Sequence, residues 1–144
     1  MSEPNDLDKI ASEVLELLQA ETAVVAVAES NGEVLYYAAA AGKHAAAIKD
    51  KRGATATSGL CGTAMNSNCP VLVAKTSGDP RVRQDYVKSL GIETALAVPF
   101  QDRDKLLGAI MVLNRVDGSL FDERAEQLLV NYVAKVTPLL YRDC

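Results

Sequence analysis

Residues 91–114 read GIETALAVPFQDRDKLLGAIMVLN: two apolar, β-prone runs, IETALAVPF and LLGAIMVLN, on either side of the polar QDRDK. Apolar runs of this length joined by a short polar turn predict a β-hairpin, so the chain builds antiparallel sheet at its centre. A second hairpin is predicted upstream. There TAVVAVAES and EVLYYAAAAG flank Asn31-Gly32, a pair whose tolerance of positive φ suits a tight turn. Both of its runs are apolar at nearly every residue, which predicts strands covered on both faces and a central sheet with helices on either side.

Helical spacing supplies those covers. Leu7, Ile10, Ala11, Val14, Leu17 and Leu18 recur on one face behind Pro4 and Asn5, predicting a helix over residues 6–20. KHAAAIKD reads as a helical turn or two, and KRGATATSG as a loop without apolar period. Ser58 is placed to cap a short helix from Gly59, and CPVLVAK reads as a strand with Pro70 at its start or on an edge. Asp79-Pro80 predicts the start of a helix over 80–90 that Gly91 ends. A last helix runs from Asp122 through Ala125, Leu129, Val133 and Val136 until Pro138. The class is therefore α+β, in one domain over residues 1–144.

Composition narrows the function. The chain has 144 residues, 49% hydrophobic and 24% charged, with no apolar run near the roughly 20 residues that span a bilayer. Its start, MSEPNDLDKI, is acidic and polar where a secretory signal is basic then apolar, so the expected compartment is the cytoplasm. Fifteen basic against nineteen acidic residues give a net charge of −4, and the basic ones are scattered, which argues against a nucleic-acid partner. Three cysteines at these spacings match no metal-ligand pattern, and no metal is expected.

Five stretches in this order, GLCGTAM, CPVLVAKTSGDPR, GIETALAVPF, KLLGAIMVLNR and FDERAEQLLVNYV, resemble the GAF domain, a small-molecule-sensing module of signalling proteins. The resemblance covers nearly the whole chain. It implies an antiparallel sheet of five or six strands, terminal helices on one face, and on the other a ligand pocket roofed by roughly Gly42 to Gly91. GLCGTAM also resembles a motif of free methionine-(R)-sulfoxide reductases, where its cysteine is the resolving partner. The attacking cysteine of those enzymes has no counterpart in DYVKSLGIET. Asn114, Arg115, Phe121 and Glu126 resemble members of a motif in cyclic-nucleotide-binding GAF domains, but Ala125 replaces its acid; a plain strand end, core Phe121 and helix cap at Asp122 account for these residues as well. His44, the single histidine, reads as a solvated residue and lies seventeen positions before Cys61, so a bilin or haem lacks its usual anchor.

Two helix N-termini, Ser58–Gly62 and Asp79–Arg83, offer unpaired N–H groups near that roof, with Arg81 and Arg83 beside the second, so a small anion or carboxylate suits the site. The expected ligand contacts are Tyr37, Ser58, Cys61, Thr63, Arg81, Tyr86 and Thr94, with no catalytic residue and the ligand or cofactor unidentified. Tyr36, Tyr37 and Tyr86 also suit core packing. Cys61, third in its helix, has two readings: a thiolate favoured by the helix dipole, or a small buried hydrophobe; a Cys61–Cys69 disulfide fits the fold but is not expected to persist in a reducing cytosol. The functional expectation is a stand-alone sensory or regulatory domain that binds a small molecule and signals through a homodimer of its terminal helices or a partner signalling protein. A thiol redox enzyme or sensor using Cys61, and a structural interaction module with no ligand, stay open beside it.

Overall fold

The computed structural model describes residues 4–29, 32–55, 59–102 and 105–136; the side chains of residues 4–6, 86, 101, 102, 105 and 106 lie outside the description. Elements follow in the order α1 (Pro4–Leu18), β1 (Ala20–Glu29), β2 (Val34–Gly42), α2 (Ala45–Ile48), β3 (Arg52–Ala54), α3 (Gly59–Ser67), β4 (Val71–Val73), α4 (Gln84–Leu90), β5 (Ala95–Asp102), β6 (Lys105–Arg115) and α5 (Glu123–Val136). Among the described residues the strands form one six-stranded sheet, β3-β2-β1-β6-β5-β4, antiparallel throughout. Both expected hairpins are present, and β1 pairs with β6 to join them, Val24 opposite Met111.

Strand alternation sorts side chains onto two faces. Ala23, Val25, Leu96, Val98, Ile110 and Val112 face α1 and α5, whose Ala11, Val14, Leu18, Ala125, Leu129 and Val133 recur every three or four residues and bury one stripe of each helix. Burial of each large apolar side chain there contributes about 1.5–3 kcal/mol, so this layer anchors the domain. The opposite face carries Val24, Ala26, Ala95, Ala97, Ala109 and Leu113 beneath α2, α3 and the segment leading into α4. Its alanines let α3 lie close over β5 and β6.

A bulge interrupts β2. Val25 pairs with Ala39 but Ala26 pairs with Tyr37, so Ala38 is the extra residue. The inserted residue reverses the faces: Leu35 and Tyr37 lie on the α3 side, while Ala39 lies under α1. Burial is complete on both faces along the middle of β1 but alternates along β2, so the expected double cover holds for β1 alone.

Three boundaries differ from expectation. The first helix ends at Leu18, because Gln19 turns left-handed (φ 53°) and its side chain donates to the Glu16 carbonyl. KRGATATSG, read as loop, contains β3, an edge strand held by its pairing of residues 52–54 with 34–36 and by Arg52, which bonds Glu29 at 2.8 Å and stacks over Tyr36. The helix expected over 80–90 begins only at Gln84: the Asp79 carboxylate accepts from the Arg81 N–H and closes a turn instead. Asp122 does cap α5, accepting from the Ala125 N–H at 3.0 Å. Pro138 lies outside the described residues.

Candidate functional site

On the face away from α1 and α5, the seam between α2 and α3 holds an apolar cavity of about 30 Å³. Met111 and Leu113 of β6 and Tyr37 of β2 form its floor, Ile48 and Leu60 its walls, and Val82, Arg83 and Ile92 its roof. Tyr37 is there because of the bulge, and Met111 and Leu113 because they sit two apart on β6. The volume suits about one water molecule, so a larger guest needs the roof to move.

The roof is a polar construction. The Gln84 side-chain amide donates to the carbonyls of Thr76, Asp79 and Val82 and accepts from the Gly78 N–H. Buried Thr76 donates its hydroxyl to the Ile92 carbonyl at 2.6 Å, pinning the segment's start to its end. Between these anchors residues 77–83 are mostly exposed, with Val82 the one that buries its side chain. Arg81 forks onto the Asp79 carboxylate, and Arg83 onto that of Asp85. The Arg81 guanidinium holds the Asp79 carboxyl below the usual carboxylate range. Both arginines expected at an anion site are thus engaged by neighbouring aspartates.

Cys61 is fully buried in α3, its thiol donating to the Met111 sulfur across 3.7 Å. Burial pushes the thiol up to about 12 and keeps it neutral, against the thiolate reading. Cys69 is disulfide-bonded while Cys61 is free, so the two are not paired with each other.

Of the expected ligand contacts, Tyr37 lines the cavity, and Cys61 touches it through Met111. Thr63 spends its hydroxyl on the Gly59 carbonyl one turn back, and Arg81 is turned to Asp79. Thr94 lies elsewhere, its hydroxyl accepting from the Phe121 N–H and donating to the Val73 carbonyl. Ser58 and the Tyr86 side chain fall outside the described residues. Ile48, Leu60, Val82, Ile92, Met111 and Leu113 were absent from the expected set, since their residue types say only core; the signals for Met111 and Leu113 were the period of two along β6 and their match to the positions where the resembling reductases carry acidic residues. His44 is half-buried rather than solvated, because its backbone N–H donates to the Thr22 hydroxyl and draws it onto the sheet end; its Nε2 is buried without a hydrogen-bond partner among the described residues.

A sheet of this order is clamped by both terminal helices on one face and carries a roofed cavity on the other. The chain belongs to the GAF domain family, whose sequence model it matches over residues 6–136. Comparison with curated protein sequences gives no match. Among solved structures it is similar to the second GAF domain of DevS from Mycobacterium smegmatis, at 18% identity and a TM-score of 0.73, covering 92% of this chain and 89% of that one. The GAF domain of an Acinetobacter phosphoenolpyruvate-protein phosphotransferase aligns at 19% identity and a TM-score of 0.76, covering 93% and 78%. The free methionine-R-sulfoxide reductase of Neisseria meningitidis, solved with its substrate, aligns at 18% and 0.73, covering 92% and 74%. At these identities the likeness is one of fold. No helix among the described residues is long and apolar enough to cross a membrane.

Proposed function

We propose that this GAF domain is a regulatory module that binds a small, largely apolar molecule in the cavity under Val82 and Arg83, and performs no catalysis of its own. The observation that carries the proposal is the unfilled seam itself, where Tyr37 and Met111 meet the roof across a gap that neighbouring side chains leave open. The roof above it is mostly exposed and is tied down chiefly by Gln84 and by Thr76 at its base, which fits the low-stability parts of a fold that open for ligands. A guest with an apolar body would lie on Tyr37, Ile48 and Met111, and a carboxylate at its end would take Arg83 in exchange for Asp85. The neutral, buried thiol of Cys61 supports leaving redox catalysis out. Occupancy passes to a partner protein or a second copy through the terminal helices, where Leu17, Leu128 and Val136 keep exposed apolar side chains.

Native mass spectrometry of gently purified protein tests this first, followed by a screen of small apolar carboxylates read by melting temperature and amide NMR shifts. The expected result is extra mass lost on denaturation, or a compound that raises the melting temperature and shifts Tyr37, Ile48 and Met111. A bare chain together with no compound mapping to those residues would overturn the proposal in favour of an interaction module with a closed cavity.

A further inference from the structure

We propose that a polar cleft at the Asn114 end of the sheet is a second binding site, for a small zwitterion bearing an ammonium and a carboxylate, as in a free amino acid. The cleft has a volume of about 240 Å³ and shares no lining residue with the apolar cavity. Four charged residues line it: Glu21 at the start of β1, Lys43 just after β2, Glu93 just before β5 and Arg115 at the end of β6. The antiparallel order brings these strand ends together, and the charges sum to zero. None of the four makes an ion pair among the described residues, although two cations and two carboxylates surround one cleft.

Asn114 holds the cleft open. It sits at φ 62°, its amide oxygen accepts from the N–H groups of Glu93 and Thr94, and its amide nitrogen donates to the Gly91 carbonyl and to Glu21 Oε1. Glu21 is thereby fixed at the wall, and the chain carrying Glu93 is held to the other side. The Arg115 guanidinium lies over the Phe121 ring and its Nη1 donates to the Leu120 carbonyl at 3.5 Å, while Nε is buried without a hydrogen-bond partner among the described residues, so the cation has no acidic partner of its own. The strand order β2-β1-β6-β5 alternates the charges along the cleft, Lys43, Glu21, Arg115, Glu93, so a carboxylate placed on Arg115 leaves the ammonium of the same small molecule against the glutamate on either side, Glu21 or Glu93. An anion alone would face two carboxylates, and a cation alone two basic groups, so the zwitterion is the guest whose charges the walls complement. The volume, below that of drug-sized pockets, fits a metabolite of that size.

The test is amide NMR of the full chain, titrated with pools of the proteinogenic amino acids at about 5 mM each, a concentration that reveals millimolar dissociation constants. At least one amino acid is expected to give saturable shifts centred on Thr94, Asn114 and Gly118, leaving Tyr37, Ile48 and Met111 unmoved. Lys43→Gln and Glu93→Gln, both at exposed positions that spare the core, are expected to weaken that binding about tenfold each with the melting temperature unchanged. The proposal is overturned if no pool shifts the cleft, if both variants bind as the parent does, or if acetate, methylamine or inorganic phosphate binds as tightly as the amino acid. Since the two cavities share no residue, failure here leaves the apolar site untouched, and the reverse.

Discussion

The Cys61 sulfur donates across 3.7 Å to the sulfur of Met111, joining the inner face of α3 to the strand that floors the cavity. The thiol is sealed, with its titration pushed up to about 12 by burial. In the unfolded chain it ionises near the ordinary cysteine value of 9.0. The folded state therefore keeps a proton that the unfolded state loses between those values. Stability contributed by the neutral thiol is complete below pH 9 and declines as pH rises toward 12, at up to about 1.4 kcal/mol per pH unit. Iodoacetamide at pH 8 is expected to leave Cys61 unmodified in native protein and to label it in denaturant; rapid native labelling refutes the sealed site.

Gln84→Ala removes the group that gathers the roof carbonyls. Three donated bonds and one accepted bond disappear, but the segment is exposed enough for water to replace several of them, so the expected cost is about 1–2 kcal/mol. The sharper signature is local. Hydrogen exchange is expected to accelerate at Gly78 and Val82 while the amides of β1 and β6 keep their protection. Uniform acceleration across the sheet would show that the roof does not open as a unit.

The hairpins were legible because Asn31-Gly32 and QDRDK punctuate long apolar runs, and the terminal helices because their stripes repeat at helical spacing. What escaped was decided by contacts between distant residues. β3 carries no apolar period, since an exposed edge strand needs only its backbone partners and, here, Arg52 on Glu29. Asp79-Pro80 matches a helix start, yet an aspartate that caps a helix also closes a short turn, and Gln84 tipped the choice. The cavity was hidden for another reason. Tyr37 reaches it only because Ala38 is bulged, and the bulge is invisible in a run of alanines.

Asn114 combines a left-handed backbone with four side-chain hydrogen bonds. Asn114→Ala and Asn114→Gly both lose those bonds, but glycine alone relieves the conformational strain of about 1 kcal/mol. Chemical denaturation is expected to rank the parent above Asn114→Gly and that above Asn114→Ala, with the second gap near that figure. Equal stability of the two variants would mean that the backbone relaxes out of the left-handed region once the amide is gone.

Gly59 opens α3 at φ 63°, and a Cβ there would meet Arg83 Cγ at 2.9 Å and the Arg83 backbone nitrogen at 3.2 Å. Gly78, in the same roof segment at φ 79°, has nothing within 4 Å of such a Cβ. Gly78→Ala therefore isolates the left-handed strain, about 1 kcal/mol, whereas Gly59→Ala adds a collision that pushes Arg83 away from α3. The expected result is a larger loss of stability for Gly59→Ala, together with faster exchange at Val82 and a cavity loosened on its Leu60 side. If the two substitutions cost the same and leave Val82 equally protected, the approach of α3 to Arg83 does not hold the roof shut, and the Gln84 and Thr76 bonds do so without it.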